Sequence, residues 1–281
     1  PDAATVQPRY AVTAGGVTGA LTDLGGSEPI PSGWFTGSTG LAVGIISTSS
    51  GPGVPFPATW DFIEAVPETV SDPSAIAEDT FTRTVTNSWG TADVGGPWTV
   101  VAGAAANFDV DGARGTVATP GGSQQQAAHL GQVSVRDVDL RVALSFPDAP
   151  TGSGNVFGYL LLRRQANGSY YRVGLYVTSG GKVFIRGQTS AGANLFPDVD
   201  TGLSFAAGDT FLLRVQAEGA SPTTIRTRAW EQGTAEPASW QATATDSTAG
   251  LQQAGSVGIR TVNATSTATT LRFDDLAGTP I

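Results

Sequence analysis

The chain has 281 residues, no cysteine, no methionine and one histidine, His129, with 15 Lys and Arg against 24 Asp and Glu for a formal charge of -9. These figures exclude a disulfide framework, a thiolate zinc site and a multi-histidine metal centre, and they argue against a nucleic-acid partner, whose phosphates need clustered Lys and Arg. Glycine (37) and proline (17) are abundant, which is the vocabulary of short strands and many turns.

Alternation of apolar and polar residues recurs along the chain, bounded by Gly, Pro, Asn or Asp, and no segment holds a 3.6-residue apolar repeat for a dozen residues. The pattern predicts an all-β protein. No run of about 18 apolar residues occurs, so no membrane insertion is expected. In the first part, strands are predicted over 9–13, 17–22, 41–47 and 59–65. Residues 1–77 hold seven carboxylates against Arg9 alone, and Trp34 and Trp60 are expected in the core of a small domain there. The stretch 67–78, reading P-E-T-V-S-D-P-S-A-I-A-E, has the polar, proline-punctuated composition of a linker. The boundary is therefore set at 77/78, giving a small acidic β-domain over 1–77 and a larger one over 78–281, within the range of about 200 to 250 residues that single β-domains reach.

About a dozen strands are predicted in the larger part: 80–85, 107–110, 115–119, 127–130, 138–146, 157–164, 170–178, 182–188, 210–218, 224–230, 257–261 and 269–273. That number suffices for two packed sheets. Leu140, Val142, Leu144 and Phe146 fall on one face of their strand, with Arg141 on the other. Tyr171, Val173, Leu175 and Val177 form the apolar face of the next clear case, leaving Tyr170, Arg172, Gly174 and Tyr176 opposite. Ile185 continues the apolar set, and Phe184, Arg186 and Gln188 point the other way.

Two tryptophan motifs stand out. Trp89-Gly-Thr-Ala-Asp93-Val-Gly-Gly-Pro-Trp98 reads W-G-x-A-D-x-G-x-x-W, and Trp230-Glu-Gln-Gly-Thr-Ala-Glu-Pro-Ala-Ser-Trp240 closes one strand and turns toward the next, followed by Gly255-Ser-Val-Gly-Ile259. Over roughly 200 residues this order resembles the laminin-G-like, concanavalin A-like jelly-roll sandwich of actinobacteriophage minor tail and tail-fibre proteins. The stretch Gly19 to Gly25, with Pro29 and Gly33 following, resembles the opening hairpin of small β-domains that begin several such proteins. The resemblance implies a surface-binding module, with Trp98, Trp230 and Trp240 as packing anchors.

A saccharide ring offers an apolar face to aromatic side chains and hydroxyls to planar polar groups. Tyr170, Arg172, Tyr176, Arg186 and Gln188 supply both on one expected sheet surface and are the candidate glycan-binding residues. The same set also suits cross-strand pairing on a solvated sheet. Calcium is the expected cofactor if any is bound: the resemblance brings Asp79 on the first strand beside Asp274 and Asp275 on the last, and oxygen ligands suit that ion. Asp109 and Asp111 lack EF-hand spacing and the terminal Glu.

Enzymatic readings find less support in the sequence. Sandwich glycosidases place two or three carboxylates at alternate positions of one strand, as in E-x-D-x-x-E, to set an acid and a nucleophile a few ångströms apart. No such strand occurs here, Asp137-Val-Asp139 and Asp198-Val-Asp200 lack a glutamate partner, and His129 alternates with apolar residues as a hydrogen-bonded sheet residue does. The glycine pairs Gly95-Gly96 and Gly121-Gly122 lack the context of a phosphate loop. The chain is expected not to be an enzyme.

The resemblance then implies a phage minor tail or tail-fibre protein whose sandwich binds host-envelope carbohydrate during adsorption and whose residues 1–77 attach to other tail or fibre proteins. A homo-oligomer is expected, with a trimer favoured by analogy to fibres. The opening Pro1-Asp2-Ala3-Ala4 carries no basic head or apolar run, and arginine outnumbers lysine fourteen to one, as a GC-rich coding source gives. The start fits a virion component assembled inside a cell, and a cleaved leader would leave the same start. Two alternatives stay open: a secreted or cell-surface actinobacterial carbohydrate-binding or adhesion module, and a purely structural virion decoration protein.

Overall fold

The computed structural model describes residues 74–281 and, before them, six two-residue strands. The chain divides into two compact units, Pro1–Val70 and Ser71–Ile281. In the first unit, β1 (Thr5–Val6) pairs with β6 (Glu28–Pro29), β2 (Arg9–Tyr10) with β5 (Thr22–Asp23), and β3 (Thr13–Ala14) with β4 (Val17–Thr18), all antiparallel. The predicted strands at 41–47 and 59–65, with Trp34 and Trp60, lie outside the described residues.

The second unit is two antiparallel sheets face to face. One contains β7 (Ala77–Asp79), β8 (Thr84–Val85), β10 (Phe108–Asp111), β11 (Gly115–Thr119), β13 (Val138–Ser145), β18 (Thr210–Glu218), β19 (Thr223–Glu231), β20 (Ala242–Asp246) and β22 (Thr269–Pro280). Its order is β20-β19-β18-β13-β22-β11-β10-β8, with β7 also paired to β22. The other contains β9 (Trp98–Ala102), β12 (Gln124–Val135), β14 (Val156–Arg164), β15 (Tyr171–Val177), β16 (Lys182–Thr189), β17 (Val199–Ser204) and β21 (Gly255–Asn263), in the order β17-β16-β15-β14-β21-β12-β9. Among the described residues there is no α-helix; two short 3-10 turns occur, at Ala105–Asn107 and Ala249–Leu251.

Period-two alternation sets the core. Leu140, Val142 and Leu144 of β13 and Tyr171, Val173, Leu175 and Val177 of β15 are buried in one continuous apolar cluster between the sheets. Phe81, Trp89, Trp98, Phe108 and Phe273 close one end of it, with Trp89 edge-on to four other rings at 4.9–5.8 Å. Such aromatic pairs add about 0.5–1.5 kcal/mol each beyond area burial. Trp98 and Trp230 are buried, and Trp240 lies half-buried with the Arg228 guanidinium 4.3 Å from its ring centre.

Of the predicted strand over 80–85 only β8 forms, and β7 lies just before it. Asp79 Oδ1 accepts the Phe81 N–H at 2.9 Å, and Phe81 adopts a φ of 49°, which turns the chain before it can pair continuously. At the far end β22 runs on past the predicted stop at 273. A bulge around Asp275, with φ 48°, lets the strand shift register against β13 and continue to Pro280.

Candidate functional site

The outer face of the seven-stranded sheet is built in rows by strand register. Across β16, β15, β14, β21 and β12, one row reads Phe184, Tyr176, Phe157, Val262 and Gln125. The next reads Arg186, Gly174, Tyr159, Arg260 and Ala127, and the third Gln188, Arg172, Leu161, Gly258 and His129. Each residue is the outward member of an alternating pair whose partner is in the core, so the rows follow from the same periodicity that builds the sandwich. A row of rings thus runs beside a row of guanidinium groups.

The rings form a continuous floor. Tyr176 stacks on Phe184 at 5.1 Å, Phe157 lies 5.0 Å from Tyr176, and Phe157 stacks on Tyr159 at 5.8 Å. Arginine planes cover it. The Arg186 guanidinium sits 4.8 Å from the Tyr176 ring centre and 5.1 Å from that of Phe157, and Arg172 sits 5.5 Å from that of Tyr159. Phe157, Tyr159, Arg172, Arg186, Gln188 and Arg260 line one shallow depression with Gln125 and Val262.

Polar groups on this face are held by one another. Arg186 donates to Asp198 through Nε at 2.8 Å, and the Tyr176 hydroxyl donates to the same carboxylate at 2.9 Å. The Arg186 hydrogen bonds hold the Asp198 carboxyl below its ordinary range. Burial first, and then the hydrogen bond to Asp198, push the Tyr176 phenol up to about 12. Arg172 donates through Nε and Nη2 to Gln188 Oε1 at 3.1 and 2.7 Å, and Gln188 donates to Asn194 Oδ1 at 2.8 Å. The Arg260 Nη1 donates to the Tyr170 hydroxyl, with the guanidinium 5.7 Å from the Tyr170 ring centre.

The five candidate glycan-binding residues, Tyr170, Arg172, Tyr176, Arg186 and Gln188, all belong to this face. Tyr176 differs from the expectation in being only 6% exposed, because Arg186 and Phe184 cover its ring. It supports the floor rather than offering a platform. Arg260, Tyr159 and Phe157 were not among the candidates. Their signal was available in the alternation of Phe157 and Tyr159 about Gly158, and of Arg260 between Ile259 and Thr261, but only register places those strands beside β15.

The expected calcium ligands do not form a metal site. Asp79, 0% exposed, accepts from Phe81 N at 2.9 Å, Arg83 Nη1 at 2.7 Å, Arg83 Nη2 at 2.8 Å and Trp98 Nε1 at 2.7 Å. Both of its oxygens are taken by N–H donors. Burial, then the neighbouring Asp275 charge, raise Asp274 to about 6. Among the described residues no group of three or more His, Cys, Asp or Glu could hold a metal ion, so the donor set does not fit calcium.

His129 lies on the same outer face, further along. Its Nδ1 is 2.7 Å from Ser256 Oγ, and burial followed by the Arg164 charge lowers its pKa.

No family model and no curated protein matches the chain. Among solved structures, the β-glucanase of Bacillus licheniformis aligns at 12% identity and TM-score 0.50, covering 75% of this chain and 100% of that one. The second unit is a concanavalin A-like jelly roll. An immunostimulatory antigen and pseudo β-1,3-glucanase of Mycobacterium tuberculosis aligns at 14% identity and TM-score 0.48, over 74% of this chain and 99% of that one. A legume lectin-like domain from Entamoeba histolytica aligns at 13% identity and TM-score 0.41, over 66% and 90%.

The expectation that the chain is not an enzyme is corrected by this finding. The fold is shared with a β-glucanase, so the absence of an E-x-D-x-x-E strand does not by itself exclude an enzyme.

Proposed function

We propose that the outer face of the seven-stranded sheet is a saccharide-binding groove. The observation that carries the reading is one depression lined by the Phe157 and Tyr159 rings together with Arg172, Arg186, Gln188 and Arg260, with Tyr176 and Phe184 continuing the ring row beside it. Aromatic carbon supports the apolar face of a sugar, and planar donors meet its hydroxyls in fixed directions. The likeness to a β-glucanase fold supports the same location-independent point, that this sandwich accommodates polysaccharide chemistry.

The test is direct binding of the full chain to an oligosaccharide panel by calorimetry, with product release followed in parallel to detect turnover. Arg172→Ala, which removes a half-exposed guanidinium and its link to Gln188, should weaken binding about tenfold or more, the equivalent of one charge-assisted hydrogen bond. A folded protein that binds no saccharide, or an Arg172→Ala variant that binds as well as the parent, overturns the reading.

We further propose that the groove acts on a phage tail or tail fibre during adsorption to host-envelope carbohydrate, with residues 1–77 attaching to neighbouring tail proteins and several copies per particle raising avidity through effective concentration. Its support is the W-G-x-A-D-x-G-x-x-W turn at Trp89 to Trp98 and the Trp230 to Trp240 hairpin. Labelling of intact particles with an antibody to the chain tests it. Particles that carry no copy, or that adsorb equally well when the antibody covers the groove, count against it.

A further inference from the structure

The groove holds three guanidinium groups, those of Arg172, Arg186 and Arg260, against one carboxylate, Asp198. Asp198 is spent on Arg186, and at the edge of the sheet Asp200 is matched by Lys182 at 3.0 Å. Among the described residues Arg172 and Arg260 have no carboxylate partner: Arg172 meets the Gln188 amide oxygen, and Arg260 the Tyr170 hydroxyl. Cations on a chain of formal charge -9 are ordinarily placed beside carboxylates. These two are not.

Arg260 is the telling case. It is 7% exposed, and its Nε is buried with no hydrogen-bond partner. A guanidinium has five N–H donors, and among the described residues only one Arg260 nitrogen, Nη1, finds an acceptor. Burying a cation so sparsely satisfied is costly unless an anion completes it. Arg172 adds to the cost by repelling Arg260 across the Tyr159 ring, on which all three arginine charges act. The cluster is incomplete without an acceptor of negative charge.

We propose that the groove recognises an anionic saccharide, with Arg172 and Arg260 flanking its carboxylate or phosphate group and the ring floor holding the adjoining sugar. This inference rests on the saccharide-binding reading above. A carboxylate as in a uronic acid and a phosphate as in a glycosyl-phosphate polymer offer the same chemistry to a pair of guanidinium groups.

The test compares the full chain's affinity for a polyuronide, a phosphate-linked glycan, a neutral β-glucan and a polyphosphate without sugar, at low and at high ionic strength. One or both acidic glycans should bind at least about tenfold more tightly than the neutral one, since a charge-assisted pair is equivalent to a factor of that size. The preference should shrink as salt rises. Arg172→Gln and Arg260→Lys, which keeps a buried cation but loses the planar fork, should each weaken binding of the acidic glycan about tenfold more than binding of the neutral one. Near-ultraviolet circular dichroism confirms that each variant is folded. Which acidic glycan binds separates uronate from phosphate. A neutral glycan bound as tightly as the acidic ones overturns this inference and leaves the groove standing, as does an acidic preference unchanged in both variants or a polyphosphate that binds as well as the acidic glycans. Failure to bind any saccharide overturns the groove itself, and the inference with it.

Discussion

Asp79 shows how much one side chain can hold. Its carboxylate, without exposed surface, ties the Phe81 amide, the Arg83 guanidinium and the Trp98 indole together, so the β7–β8 stretch and the start of β9 meet on two oxygens. Removing one partner of a buried pair leaves the other charge uncompensated, at a cost of about 3–5 kcal/mol. Asp79→Ala is therefore expected to lower the unfolding free energy by about 3 kcal/mol or more in denaturant titration. A loss below about 1 kcal/mol, the scale of a surface pair, would show that water replaces the carboxylate freely. The sequence marked Asp79 as a carboxylate near the last strand, and β7 does pair with β22. Its role was not legible because, beyond the local Phe81 amide, its side-chain donors Arg83 and Trp98 lie 4 and 19 residues away, and no sequence pattern connects Asp79 to Trp98.

At the scale of elements, the groove depends on close approach of backbones. A Cβ on Gly174 would stand 2.1 Å from Gly158 O and 2.6 Å from Tyr159 Cα, and neither atom can swing aside as a side chain could. Gly174→Ala should push β15 from β14 at the row that carries Tyr159, costing about 2 kcal/mol and lowering Tm by about 4–8 °C for a unit of this size. Gly180→Ala is the control, since its nearest neighbour would be Thr178 Oγ1 at 3.8 Å. Equal Tm values for the two variants, in a thermal melt, would refute the close-approach argument. The same scale explains what the sequence revealed and what it hid. Strands with strong apolar contrast, such as β13 and β15, were legible together with their faces. Alternating Ala242-Thr-Ala-Thr in β20 has too little contrast to register as a strand, and Val199-Asp-Thr-Gly-Leu in β17 is interrupted by Gly202 at φ 75°. Both are edge strands, where one neighbour suffices to hold the ladder. The arginines of the groove were half legible: Arg172 and Arg186 lie on strands adjacent in sequence, whereas Arg260 reaches them only through the pairing of β21 with β14.

The whole molecule's response to pH is a contest between groups of opposite sign. Burial, followed by the Asp275 charge, raises Asp274 to about 6, so the folded state binds that proton more tightly than the unfolded chain does. Its strain is present at neutral pH and is relieved as pH falls from about 6 toward the ordinary carboxyl value of 3.8. His129 works the other way. Burial and Arg164 lower its pKa, so stability is lost as pH falls below the ordinary value of 6.5 toward the folded one. Asp137, Asp198 and Asp200 are all held low, the first two chiefly by hydrogen bonds from Arg136 and Arg186 and the third by the Gly202 amide, so what they contribute is lost only below 3.8. Between pH 7 and about 4 Asp274 and His129 therefore act on Tm in opposite directions, and below about 4 the loss from Asp137, Asp198 and Asp200 adds to the fall. Asp274→Asn isolates the acidic half of the contest. The variant should melt above the parent at pH 7, by about 2–4 °C for each kcal/mol of strain removed, and the two curves should converge as pH approaches 4. General relief of the negative charge acts on both proteins alike and cancels in the comparison. Parallel curves from pH 7 to 4 would mean that Asp274 titrates no differently in the folded and unfolded chains, and that the bulge at Asp275 carries no buried charge.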